Sequence, residues 1–208
     1  TFKAAVAGLN LGGGKTVVIG DPRKDKSEAL FRALGRFVDT LNGRYIAAED
    51  VGTATQDMDY VAMETPYVTG IDSPDGGSGD PSPMTALGVF QGIRAAAKKV
   101  YGTHKLEGLR VSMQGAGHVG SYLAKHLVDA GAVLTLTDIH EDNVARVTES
   151  TGASSVAPDK IYDVPADIFV PCALGGIVNP ENVERLSASG DLKIIAGAAN
   201  NVLDTDTT

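Results

Sequence analysis

A six-residue stretch, Gly115-Ala116-Gly117-His118-Val119-Gly120, separates two segments of different periodicity. Leu109 to Gln114 before it reads as a strand; after it, apolar residues recur at helical spacing to about Ala130, and Gly131 supplies the stop. Val133 to Thr137 is again strand-like and is followed by Asp138 and a helix near Asp142 to Glu149. Ile168 to Pro171 and Leu192 to Ala196 read as later strands, with a helix near Glu181 to Leu186 between them. Ser82-Pro83 has the form of a helix cap and first helical residue, and Leu87, Phe90, Ile93, Ala97 and Val100 continue that helix to Tyr101. Strands alternating with helices predict an α/β fold with a parallel sheet covered on both faces.

The hexapeptide fits G-x-G-x-x-G, and each glycine has a task. Gly115 permits the tight turn, Gly117 lets a pyrophosphate approach the backbone, and Gly120 lets helix and strand pack closely. Ala116, His118 and Val119 fill the intervening positions. The helix N-terminus offers N–H groups and the positive end of a dipole. Asp138 stands 18 residues beyond Gly120, at the end of the next strand, where it can accept hydrogen bonds from the adenosine ribose. A carboxylate there repels a 2′-phosphate, so NAD is expected over NADP. The prediction is a doubly wound, Rossmann-type nucleotide-binding domain. Gly12-Gly13-Gly14-Lys15-Thr16 does not make a P-loop: position 9, where that motif needs a glycine, is Leu9, and Val17-Val18-Ile19 favours a strand over a helix.

The first third of the chain reads differently. Lys3 to Leu9 and Thr16 to Ile19 are strand-like, the second expected to be buried. Leu30, Phe31, Leu34, Phe37, Val38 and Leu41 mark one face of a helix, with Asp25 or Ser27 as cap and Asn42-Gly43 as stop. Arg44 to Ala48 is a short strand ending at Glu49-Asp50. Residues 65 to 82, with Pro66, Pro74, Pro81 and several glycines, form a boundary loop. Lys15, between three glycines and an apolar run, is either a desolvated lysine of lowered pKa, paired across strands with Lys3, or an ordinary surface lysine with a buried stem, as is Lys3.

Charge and composition exclude several classes. Eighteen Lys and Arg against 26 Asp and Glu give a net charge of −8, unlike a nucleic-acid-binding surface. No apolar run approaches membrane-spanning length, and TFKAAVAGL is no secretory signal. Cys172, the single cysteine, can form no intramolecular disulfide, which suits a reducing cytoplasm. It is expected as a packed thiol, His104, His126 and His140 as surface residues without metal-ligand spacing, and Met58, Met63, Met84 and Met113 as core fillers.

Seven segments carry a resemblance: Phe2-Lys3-Ala4, AGLNLGGGKTVVIGDPRKDK (7 to 26), GRYIAAEDVGT (43 to 53), GSGDPSPMTA (77 to 86), GAGHVG (115 to 120), VPCALGGIVN (170 to 179) and IAGAANN (195 to 201). In this order they resemble the glutamate/leucine/phenylalanine/valine dehydrogenase family, most closely its leucine dehydrogenases. The resemblance implies NAD-dependent oxidative deamination of an L-amino acid to a 2-oxo acid and ammonia. By it, Lys3 pairs with the substrate carboxylate, Lys15 activates water, and Asp50 exchanges protons with the amino group and water. It sets Thr85, Ala173 and Asn200 beside the nicotinamide and substrate, with Asn201 a further candidate. It makes Ala48 a side-chain pocket residue that favours leucine over the aromatic substrates accepted where glycine stands. It divides the chain into a partial α/β substrate domain, 1 to 82, and a dinucleotide-binding domain, 83 to 208, with the chemistry in the cleft between them. Family members are longer at both ends and oligomeric. A truncated first domain with an unpaired strand edge or an exposed apolar patch is therefore expected, and a homo-oligomer in the full-length enzyme; the alternatives to the leucine reading are a phenylalanine- or valine-selective dehydrogenase, or a non-catalytic NAD-binding remnant.

Overall fold

The computed structural model describes residues 2–72 and 77–204, so residues 73–76 of the expected boundary loop lie outside the described residues. The chain divides into two compact units, Thr1–Pro81 and Ser82–Thr208. Among the described residues no helix is long and apolar enough to cross a membrane.

The first unit contains helices α1 (Phe2–Val6), α2 (Glu28–Thr40) and α3 (Thr55–Ala62). Ser27 caps α2 by accepting the Leu30 N–H at 3.2 Å, and Asn42 and Gly43, both at positive φ, lead the chain away from its end. Phe31, Val38, Met58 and Val61 of α2 and α3 bury against Ala47. Gly35 permits the close approach, since a Cβ there would stand 2.7 Å from the Val61 carbonyl oxygen.

Three strand readings in this unit are corrected. Lys3 begins no strand: Phe2–Val6 is helical, consistent with the alanines in FKAAV. Thr16 to Ile19 is neither a strand nor buried, with Val17 76% and Ile19 99% exposed. A β-branched run becomes a strand only beside a partner, and no described residue pairs with it. Arg44 to Ala48 contributes a single parallel bridge, Ala47 to Val68. Val17, Val18, Ile19, Phe37 and Met63 are exposed, so Phe37 leaves the buried face read for α2 and Met63 the core.

The second unit is a five-stranded, wholly parallel sheet. In chain order it runs α4 (Ser82–Tyr101), β1 (Arg110–Gln114), α5 (His118–Asp129), β2 (Val133–Thr137), α6 (Glu141–Thr151), β3 (Ser154–Ser155), a 3₁₀ turn (Pro158–Asp163), β4 (Ile168–Pro171), α7 (Pro180–Ser187) and β5 (Ile194–Ile195). The spatial order is β3-β2-β1-β4-β5. Alternation along the strands fills two cores. Val111, Met113, Ile168 and Val170 pack with Ile93, Leu123 and Leu127 of α4 and α5, while Phe169 turns to the other face with Ile161, Tyr162 and Leu186. Burial on both faces explains the apolar strand runs. Met84 is 70% exposed and is no core filler; His126 stacks on Phe90 at 5.3 Å instead of standing free on the surface.

One polar clamp ties the strand beginnings. Asp167 accepts the Arg110 backbone N–H at 2.8 Å and two guanidinium bonds at 2.9 and 3.2 Å, and Asp191 adds an ion pair at 3.1 Å. The Arg110 hydrogen bond holds the Asp167 carboxyl below the usual carboxylate range. A lowered folded-state pKa contributes stability above the ordinary value and loses it as pH falls through the folded one. Arg110→Ala is therefore expected to lower the melting temperature at pH 7, and the difference from the unsubstituted chain should narrow below about pH 4. Thermal melts at the two pH values measure this; a difference independent of pH counts against the clamp.

Candidate functional site

The turn after β1 is built by close backbone approach. Gly115 sits at φ +103, and a Cβ there would stand 2.8 Å from the Cys172 carbonyl carbon and oxygen. Gly120, on the first turn of α5, would bring a Cβ within 2.2 Å of the Gly115 carbonyl oxygen. Gly117 is the exception: nothing lies within 4 Å of its would-be Cβ, and as the residue capping α5 it offers no side chain. An open approach to an uncapped helix N-terminus is what a pyrophosphate requires.

Asp138 follows β2 beside this turn. Its Oδ2 accepts the Ala116 N–H at 2.7 Å and its Oδ1 the His140 N–H at 2.8 Å, so the carboxylate faces the glycine turn. A dinucleotide lying on the turn would bring its adenosine ribose to that carboxylate, and the residues present fit such a ligand. His118 is exposed and Val119 half-buried on the same helical turn; Thr85 is exposed near the start of α4.

β1 and β4 are neighbours whose connections leave toward opposite sides of the sheet, the switch point at which open α/β sheets hold ligands. The segments after β4 and β5 meet there. The Gly176 N–H donates to the Asn201 carbonyl at 2.9 Å, and a Cβ on Gly175 would stand 2.3 Å from the Asn200 carbonyl oxygen. Ala173 and Asn200, both exposed, thus lie on adjoining loops, and the Ala173 nitrogen would be 2.9 Å from a Cβ on Gly115. Burial pushes the Cys172 thiol up to about 11, against a backbone hydrogen bond from Ala198, so it is no ready nucleophile.

In the first unit, the Lys15 ammonium and the Asp50 carboxylate Oδ2 form an ion pair. Lys15 follows Gly14, which lies against the Tyr45 ring, where a Cβ would approach to 2.9 Å. The Asp50 Oδ1 accepts the Val51 N–H at 2.8 Å. The desolvated alternative for Lys15 is not what the unit contains, since its side chain is 62% exposed and that of Asp50 44%. Lys3 is exposed on α1, and Ala48 is exposed two residues before Asp50.

Comparison with known proteins bears on what these groups serve. Residues 1–67 match the family description "Glu/Leu/Phe/Val dehydrogenase, dimerisation domain", and residues 76–141 match "Glutamate/Leucine/Phenylalanine/Valine dehydrogenase". The chain belongs to the Glu/Leu/Phe/Val dehydrogenase family. It is 59% identical over 203 residues to leucine dehydrogenase of Thermoactinomyces intermedius, covering 98% of this chain and 54% of that enzyme. It is 57% identical over 203 residues to leucine dehydrogenase of Geobacillus stearothermophilus, again covering 98% and 54%. Among solved structures it resembles L-tryptophan dehydrogenase from Nostoc punctiforme, with a TM-score of 0.69, 42% identity, and coverage of 99% of this chain and 57% of that one. The chain therefore spans about half the length of the curated relatives it matches.

Three contacts in this chain escaped the sequence reading. The Arg146 guanidinium of α6 donates to the Ala116 carbonyl at 3.2 Å, bracing the glycine turn opposite Asp138. Gln114, just before that turn, donates to the Tyr162 hydroxyl at 2.6 Å. Thr53 bonds the backbone of Asp50. Only the last had a local signal, the turn sequence Asp50-Val51-Gly52-Thr53.

Proposed function

We propose that this chain takes part in the NAD-dependent oxidative deamination of an L-amino acid, leucine or another branched-chain one, to its 2-oxo acid, ammonium, reduced cofactor and a proton, with one water consumed. The carrying observation is the Lys15–Asp50 ion pair, joining the two residues to which the family resemblance assigns the chemistry. Bound NAD supplies the hydride acceptor. Gly115, Ala116, Gly117, His118, Val119 and Gly120 would hold its pyrophosphate, Asp138 its adenosine ribose, and Thr85, Ala173 and Asn200 would flank its nicotinamide end. Lys3 would bind the substrate carboxylate. Lys15 would activate the water that attacks the imine carbon, and Asp50 would carry protons between that water and the departing amino group. On this reading residues 1 to 82 belong to the substrate domain and 83 to 208 to the nucleotide domain of a cytoplasmic homo-oligomer. Ala48 adds one methyl to the substrate pocket relative to glycine, worth about 1–3 kcal/mol of preference for leucine over an aromatic side chain.

Steady-state rates with leucine, valine, isoleucine, phenylalanine and glutamate, each with NAD and NADP, test the proposal. Leucine with NAD should give the highest kcat/KM. Asp138→Ser removes the charge opposing a 2′-phosphate and should narrow the NAD preference by about tenfold or more; an unchanged ratio removes Asp138 from the ribose site. The exposure of Lys15 favours one second reading, a protein that binds NAD without turnover, which NAD titration beside the same assay distinguishes.

A further inference from the structure

The Asp50 carboxylate is substantially exposed, so packing does not hold its direction. Its backbone is held instead. The Thr53 hydroxyl accepts the Asp50 N–H at 2.9 Å and donates to the Asp50 carbonyl at 2.7 Å, and the Thr53 N–H bonds the same carbonyl at 2.9 Å. A hydroxyl has one proton to give and lone pairs to receive, so one group satisfies both polar ends of Asp50. Gly52, between them, sits at φ +82 with Pro22 packed on it, a Cβ there standing 3.3 Å from the Pro22 Cβ. Pro22 lies on the segment that follows Lys15, so the turn carrying Asp50 rests on the chain that carries its ion-pair partner.

We propose that Thr53 is the positioning residue for Asp50, a role that rests on the proton-carrying function assigned to Asp50 above. It fixes the backbone from which the carboxylate reaches Lys15 and touches neither substrate nor cofactor itself. A carboxylate that must meet a substrate amino group and a water in turn loses rate when its anchor moves by a fraction of an ångström.

Two measurements test this on Thr53→Val, which keeps the side-chain shape and removes the hydroxyl, and on Thr53→Ser, which keeps the hydroxyl. In the chain itself, amide hydrogen exchange at Asp50 should accelerate about tenfold or more in Thr53→Val and stay unchanged in Thr53→Ser. In leucine oxidation by the full-length enzyme, Thr53→Val should lower kcat by about tenfold to a hundredfold with KM for NAD unchanged, Thr53→Ser should restore it, and adding Thr53→Val to Asp50→Asn should cost nothing more. Unchanged Asp50 exchange in Thr53→Val overturns the proposal, as does a loss that adds in full to that of Asp50→Asn. If Asp50→Asn alone leaves turnover intact, the assignment of Asp50 fails, and the exchange rates still decide whether Thr53 fixes its backbone.

Discussion

Lys15→Met in the full-length enzyme should abolish leucine oxidation, lowering kcat by about a thousandfold or more while NAD affinity stays within about twofold. The methionine keeps an unbranched apolar side chain and removes the amine assigned to activate water. Asp50 loses its ion-pair partner but keeps the Val51 N–H and the turn that carries it. The Lys15 side chain is largely exposed, so its removal leaves no buried vacancy and the first unit should melt as before. Pre-steady-state mixing with NAD and leucine, beside equilibrium NAD titration, separates the two effects. Equal losses in NAD binding and turnover contradict the assignment of Lys15 to the chemical step.

The second large effect concerns the glycine turn and has two opposite signatures. Gly120→Ala forces a Cβ to within 2.2 Å of the Gly115 carbonyl oxygen, a backbone atom that cannot step aside alone. Helix α5 and the turn must separate, at a cost of about 1–3 kcal/mol, and NAD binding should be lost with the shape of the turn. Gly117→Ala meets nothing within 4 Å, and Gly117 has an ordinary negative φ of −68°. It should leave the melting temperature unchanged and still weaken NAD binding by about tenfold or more, because the methyl group fills the approach used by the pyrophosphate. Calorimetric melts and NAD titrations of the two variants give the comparison. If Gly117→Ala binds NAD normally, the pyrophosphate does not lie on this turn.

The contrast between the two units explains what the sequence could convey. β1 and β4 are buried on both faces and β2 buries Leu134 and Leu136 in the core shared with α4 and α5, so their residue patterns, bounded by Gly115, Asp138 and the loop after Pro171, are local records of a non-local arrangement. Periodicity therefore located Val133–Thr137 and Ile168–Pro171 to the residue. Thr16 to Ile19 carries the same β-branched chemistry, yet propensity becomes a strand only when a neighbour supplies its hydrogen bonds. α3 escaped notice because its buried residues Asp57, Met58 and Val61 make too short a stripe to establish a period.

The site was legible to a similar degree. The glycine spacing and Asp138 are written within a single βαβ unit, and the contact between Asp138 and the Ala116 N–H is the local consequence. The meeting of Lys15 with Asp50 joins residues far apart in sequence, and only the family resemblance pointed to it. Thr53 and Arg146 act through backbone atoms of other residues, and such support leaves little trace in residue type alone.

The central claim is that an amino acid gives up hydride from its α-carbon to the nicotinamide. Leucine deuterated at the α-carbon, incubated with NAD and the full-length enzyme, tests it most directly when the reduced cofactor is recovered and weighed by mass spectrometry. The account predicts one deuterium on each reduced cofactor formed, with equal amounts of ammonia and 2-oxo acid released. Reduced cofactor without deuterium, or leucine left unconsumed beside saturating NAD, would contradict it.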